Sequence, residues 1–152
     1  MQLSNLICGL NRQIEQTLDA GLRAHGISIE QYRVLQSVKI ENGIAMGDLA
    51  ARVFVDSPTL TKIIDKMVAS ADVYRGPDPH DRRRVLIFLS DKGAAKFKDV
   101  QSVGLDVERQ LAERLGHDQA DFVRHLRAVF LDARGVSFLT DQKTNGSPAP
   151  RT

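Results

Sequence analysis

A chain of 152 residues with 42% hydrophobic and 26% charged side chains carries enough apolar material for one packed domain and too much for a disordered or fibrous chain. Lysine plus arginine outnumber aspartate plus glutamate by only 21 to 19, a formal charge of +2, so any nucleic-acid footprint has to be local rather than global. A lone cysteine, Cys8, excludes an intramolecular disulfide framework and a multi-cysteine metal site, and the lack of a membrane-length apolar run or a signal-like N-terminus points to a cytoplasmic protein with no membrane partner.

From residue 3 to about residue 24, Leu3, Ile7, Leu10, Ile14, Leu18 and Leu22 recur every three or four positions, the stripe of a long amphipathic helix that Gly26 ends. Ser28 followed by Gln31 predicts a capping box, and Tyr32, Leu35 and Val38 give this second helix its face before Asn42-Gly43 breaks it. Met46, Leu49, Ala50 and Val53 keep helical spacing. After Phe54-Val55-Asp56 another helix opens at Ser57-Pro58, with Ser57 expected as its N-cap and Pro58 at the first helical position, where a missing N–H costs nothing. Leu60, Ile63, Ile64, Met67, Val68 and Ala71 form its apolar face; Lys62 and Lys66 lie one turn apart on the other, flanked by Thr59 and Thr61.

Beyond Asp72 the pattern changes. Val73-Tyr74-Arg75-Gly76 and Val85-Leu86-Ile87-Phe88-Leu89 are short β-prone runs separated by the turn-rich Pro77-Asp78-Pro79-His80-Asp81-Arg82-Arg83, which predicts a hairpin with a long basic tip. Ser90-Asp91 caps a long helix with Phe97, Val100, Gly104, Val107, Leu111 and Leu115 along one stripe; Gly116 stops it and Asp118 restarts it. The last helix uses Phe122, Leu126, Val129 and Phe130, and residues 140–152, without apolar periodicity, read as a disordered tail.

This order of elements describes one mostly α domain over residues 1–139 with a small β-hairpin: a winged helix-turn-helix with extra helices at both ends. The physics suits double-stranded DNA. A helix of this length enters the major groove with Thr61 and Lys62 outward, while an extended basic loop reaches phosphates or the neighbouring minor groove. Arginine is favoured at such a tip because its planar fork bridges acceptors and is drawn to the negative potential of a narrow groove. Lys66, Arg75, Arg82 and Arg84 join the expected contacts, and Asp81 stands close enough in sequence to hold an arginine by a charge-assisted pair.

The run Asp81-Arg82-Arg83-Arg84-Val85-Leu86-Ile87-Phe88-Leu89-Ser90-Asp91-Lys92-Gly93 resembles the wing signature of the MarR family of transcriptional regulators. Asp48-Leu49-Ala50 and Asp56-Ser57-Pro58-Thr59-Leu60-Thr61 are similar to that family's helix-turn-helix, and a weaker likeness runs from about residue 3 to 139. The resemblance implies that Arg83 is the wing-tip residue entering the minor groove, with Asp81 as its partner. It also implies that Ser57, Thr59, Thr61 and Lys62 face the groove. It further implies a homodimer built from helices at about 3–24 and 91–139, a DNA-binding lobe at about 44–90, and a small anionic or aromatic effector bound between the dimer helices and that lobe. Such a protein is most often a repressor released from a pseudo-palindromic operator by its ligand. The sequence departs from the family pattern at Ala71-Asp72, where a glycine usually ends the recognition helix.

Other chemistries have less support in the sequence. Some members of the family oxidise a first-helix cysteine, but Cys8 follows Ile7 on or beside the apolar stripe and is expected to be a buried small hydrophobe. His117, Asp121 and His125 are too loosely spaced to favour a metal site over capping and surface roles. Arg12, His25 and Tyr32 are either effector-binding groups or satisfied interface residues. No phosphate-binding glycine loop, nucleophile elbow or zinc-protease helix occurs, so no catalytic residue or cofactor is expected; a helical protein-interaction module is the rival to a DNA-binding regulator.

Overall fold

The structure, a computed structural model, describes residues 1–135. The chain divides into two compact units, Met1–Glu108 and a second from Arg109 onward. The elements are α1 (Leu3–Arg23), α2 (Ile29–Ile40), β1 (Ile44–Ala45), α3 (Met46–Val53), α4 (Ser57–Ala69), β2 (Val73–Pro77), β3 (Val85–Leu89), α5 (Asp91–Leu115), a 3-10 turn at Gly116–Asp118, and α6 (Gln119–Gly135). The expected tail at 140–152 and the expected extension of the last helix to 139 lie outside the described residues.

The core of the first unit joins Val34, Leu35 and Val38 of α2 to Leu49 and Val53 of α3, Leu60, Ile64 and Met67 of α4, and Val73 and Ile87 of the sheet. Each is fully buried, and each such side chain contributes about 1.5–3 kcal/mol of transfer free energy. The apolar face of α4 is thereby fixed inward, which leaves its other face to solvent. The capping box at α2 forms as expected: Gln31 N–H donates to the Ser28 hydroxyl and Ser28 N–H to the Gln31 side chain, both at 3.1 Å.

The β region is a three-stranded antiparallel sheet in the order β1-β3-β2, not a bare hairpin. Ile44 pairs with Ile87 and Ala45 with Leu86, while Val73 to Pro77 run against Leu89 to Val85. Asn42 and Gly43, expected only to break α2, also tie the chain to β3. Leu89 N–H donates to Asn42 Oδ1 at 2.9 Å and Gly43 N–H to the Ile87 carbonyl at 3.1 Å.

The two ends of α4 are capped differently. At the start of α4 the cap is Asp56, not Ser57: Asp56 is extended (φ −72°, ψ 163°), and its carboxylate accepts from Thr59 N–H at 2.7 Å. Either residue type suits the position, but a carboxylate also complements the positive end of the helix, and Ser57 enters the first turn instead. At the other end, Ala71 N–H donates to the Val68 carbonyl and Asp72 N–H to that of Met67, both at 2.9 Å, a Schellman arrangement that places Ala71 at φ +60°. Glycine is favoured there because a Cβ is strained in this region. Ala71→Gly is therefore expected to raise stability by about 0.5–1 kcal/mol, read as a higher urea midpoint with an unchanged slope.

Cys8 is exposed rather than buried. The first half of α1 extends past the core, so Leu3, Ile7 and Leu10 of the expected stripe are exposed too, as is Leu6 beside them, and burial begins only at Leu18 and Leu22.

Candidate nucleic-acid interface

The exposed face of α4 carries the residues expected there. Ser57, Thr59, Thr61, Lys62 and Lys66 are all solvent-facing, while Leu60, Ile64 and Met67 hold the helix to the core. Thr61 donates its hydroxyl to the Ser57 carbonyl at 3.0 Å, which fixes its rotamer. Neither lysine enters an ion pair among the described residues, so both ammonium groups are available to an anionic partner. The Asp56 carboxyl is held below its usual range, first by its hydrogen bonds to Thr59 and then by Lys62. A carboxyl lowered in the fold stabilises it above the unfolded-state pKa and loses that contribution as pH falls through the lower folded-state value. Asp56→Asn, which keeps a capping oxygen, is expected to narrow the gap in urea midpoint between pH 7 and pH 3.

The wing loop after β2 is built by its own backbone. Asp78 N–H donates to the Arg84 carbonyl at 3.1 Å, Arg84 N–H to the Asp81 carbonyl at 3.0 Å, and Asp78 Oδ1 accepts from His80 N–H at 2.9 Å. Asp81 is indeed the partner of Arg83, but through the main chain: its Oδ1 accepts from Arg83 N–H at 3.0 Å. The expected pairing with the guanidinium is replaced because an aspartate two residues upstream closes a local turn more readily than it reaches a long side chain. The Arg82 and Arg83 side chains are exposed and in no ion pair among the described residues. Arg84 instead leans back toward Asp48 and Asp78, at 3.8 and 3.9 Å, and Arg75 is paired with Asp65 on α4. Two of the four expected wing cations are thus free, and two brace the wing against the helix-turn-helix.

The three expected effector residues do not come together. Tyr32 lines a cavity of about 210 Å³ with Arg33, Gln36, Phe97, Gln101 and Glu108, among others. His25 lies on a separate hollow beside Lys92, Lys96 and Asp99, and the exposed Arg12 lines neither. Burial, then Glu108, raises the Tyr32 phenol above its ordinary pKa, so it stays protonated and can donate. Its ring is 6.0 Å from that of Phe97, and its hydroxyl would lie 1.8 Å from any Cβ at position 104, a close approach that Gly104 permits. The residue missed from sequence was Arg33, adjacent to Tyr32 and half-hidden on the same helix.

Elsewhere the described residues hold no cluster of three His, Cys, Asp or Glu side chains spaced to ligate a metal. Asp121 is paired with Arg124 at 2.7 Å, and His117 lies 3.4 Å from Asp118. Among the described residues no helix is long and apolar enough to cross a membrane.

A model of the MarR family matches residues 25–84. The multiple antibiotic resistance protein MarR of Escherichia coli K12 is 31% identical over 125 residues, covering 82% of this chain and 87% of that protein. The transcriptional regulator SarZ of Staphylococcus epidermidis is 28% identical over 113 residues, 72% and 74% of the two chains. Among solved structures, a cysteine-to-serine mutant of E. coli MarR complexed with operator DNA aligns at a TM-score of 0.71 and 31% identity, covering 85% of this chain and 93% of that one. The fold is shared more widely, as with an S. aureus MepR–DNA complex at a TM-score of 0.75 and 21% identity, covering 88% of this chain and 98% of that one.

Proposed function

The chain belongs to the MarR family of transcriptional regulators, and on that footing we propose that it is a homodimeric repressor that grips a pseudo-palindromic operator through α4 and the wing and releases it when a small aromatic or anionic ligand fills the Tyr32 cavity. The observation that carries the DNA-binding reading is the placement of free cations. Lys62 and Lys66 project from the solvent face of a helix whose other face is core, and Arg82 and Arg83, in no ion pair among the described residues, stand at a wing tip whose backbone is already hydrogen-bonded. Such a tip loses little conformational entropy when it meets phosphate. Selection from a random DNA pool, followed by affinity measurements at two salt concentrations, tests it. A recovered inverted repeat with a steep salt slope is the expected result; recovery of no consensus would favour a protein-interaction module.

Dimerisation has its own support. The exposed Leu3, Leu6, Ile7 and Leu10 of α1 form one apolar stripe, and Phe122, Leu126 and Val129 of α6 form another. Stripes of this length are rarely left in water by a soluble monomer. Two recognition helices must also stand about one DNA turn apart, roughly 34 Å, for a twofold operator to be read. Light scattering is expected to give twice the monomer mass at micromolar concentration; a monomer mass would overturn the dimer and with it the reading of a twofold operator.

A further inference from the structure

Ala71 and Asp72, at the corner between α4 and β2, are the two residues where the chain departs from the family pattern, and both depart from what stability alone favours. Ala71 sits at φ +60°, where glycine is the unstrained choice. Asp72 carries a carboxylate into the interior at 4% exposure. Its Oδ2 accepts from Lys96 Nζ of α5 at 2.6 Å and from Ser70 Oγ at 2.7 Å, whereas Oδ1 is buried with no hydrogen-bond partner among the described residues. A carboxylate satisfied at one oxygen is costly to bury, and apolar side chains in place of such an ion pair often leave a protein more stable. What the ion pair supplies that an apolar contact does not is direction. We infer that Asp72 and Lys96 are positioning residues for DNA binding: their pair fixes the angle between the recognition helix α4 and α5, and with it the spacing of the two recognition helices in the dimer. This rests on the dimeric, DNA-binding reading given above.

The corner is first held at the very start of α5. The Ser90 hydroxyl lies 2.6 Å from the Ala71 carbonyl and 2.8 Å from that of Asp72, and Lys92 Nζ donates to the Ser70 carbonyl at 2.6 Å. Contacts gathered at one end of a helix set a position but leave a pivot. Lys96 is rooted six residues beyond Ser90, about 9 Å further along the axis, so its pair with Asp72 adds a second point of attachment and sets a direction. An apolar contact there would permit sliding, because hydrophobic burial is non-directional. The carboxylate cannot slide without leaving its second oxygen unpaired as well. The angle matters because α4 is a lever. It has 13 residues, and over a length of about 20 Å a tilt of about 10° at the Asp72 end displaces Ser57 and Thr59 by about 3 Å, comparable with the rise of one base pair. Twofold symmetry repeats the displacement in the second subunit.

The test uses the full chain and a DNA fragment selected by the wild-type protein, together with its single half-site and with versions carrying one base pair more or one fewer between half-sites. Fluorescence anisotropy reads affinity, urea midpoints read stability and light scattering reads mass. Wild type is expected to lose roughly ten-fold or more in affinity on either change of spacing. Asp72→Leu combined with Lys96→Met replaces the pair by apolar groups of similar length. That double variant is expected to remain a dimer with a urea midpoint no lower than wild type and to bind the single half-site as wild type does. On the intact fragment it is expected to bind several-fold more weakly and to lose most of the penalty for altered spacing. Lys96→Arg, which keeps a cation, is expected to retain most of that penalty. Asp72→Asn keeps the shape and an acceptor for Ser70 but not the charge, and is expected to lose part of the penalty, which decides the question even if the double variant folds poorly. A wild-type spacing penalty in both Asp72→Asn and the double variant overturns the positioning role. So does an equal loss of affinity on the half-site and the intact fragment with a lowered midpoint, which is the mark of ordinary structural support. A wild-type protein that is monomeric, or indifferent to spacing, overturns the dimeric operator reading itself, and the positioning role with it.

Discussion

Gly93→Ala is expected to be the most damaging small substitution in the chain, costing about 3 kcal/mol. A Cβ at position 93, in the first turn of α5, would stand 2.0 Å from the Asp72 carbonyl oxygen and 2.9 Å from Leu89 Cδ1. The nearest obstacle is backbone and is itself anchored. The Asp72 carbonyl accepts from Ser90 N–H at 3.1 Å and from the Ser90 hydroxyl at 2.8 Å, and that same hydroxyl caps α5 by accepting from Gly93 N–H at 2.9 Å. Moving Asp72 aside would also disturb its buried carboxylate, which pairs with Lys96 at 2.6 Å and accepts from Ser70 Oγ at 2.7 Å. The strain therefore passes into the end of α4 and the start of β2, the two elements that would present DNA-facing groups. Gly47→Ala supplies the contrast: position 47 is helical, exposed and has nothing within 4 Å of its missing Cβ, so the same methyl is expected to stabilise by about 0.5–1 kcal/mol. Urea midpoints of the two variants moving in opposite directions would establish that the effect is local packing, whereas a Gly93→Ala midpoint near wild type would show that α5 docks more loosely than this geometry requires.

What the sequence reveals and what it conceals follow from the range of the interaction involved. The helices were readable because a 3.6-residue apolar stripe is local information, and so were the Ser28 capping box and the β2–β3 pairing. β1 was not, because a strand of two residues has no period and exists only through Ile87, far along the chain. The cap of α4 was misplaced by one residue because Asp56 and Ser57 are both good caps and only backbone geometry chooses between them. Cys8 was expected to be buried because a stripe says which face is apolar, not whether anything of the same chain covers it. The cavity illustrates the same limit from the other side. Residue type groups Tyr32 with Arg12 and His25, but of the three only Tyr32 lines this cavity, and the cation that shares it is the neighbouring Arg33.

The wing yields the largest expected loss of DNA affinity. Arg83→Ala is expected to weaken operator binding by about 1–3 kcal/mol and to reduce the salt slope by about one, with the melting temperature unchanged, because the side chain is exposed and packs no core. Asp81 separates a positioned arginine from a generic basic patch. Its Oδ1 accepts from Arg83 N–H, so its contribution is to hold the backbone of the tip rather than to neutralise a guanidinium. Asp81→Ala removes that acceptor and is expected to weaken binding even though the loop becomes more positive, since the tip must then be ordered on contact with DNA. Asp81→Asn retains an acceptor oxygen, loses the negative charge, and is expected to bind at least as tightly as wild type. A patch acting only through charge predicts that both variants bind more tightly, and by similar amounts. Anisotropy titrations of the three variants against one operator at two salt concentrations decide the matter: tighter binding by Asp81→Ala, or wild-type affinity in Arg83→Ala, would show that the wing does not act through a positioned Arg83.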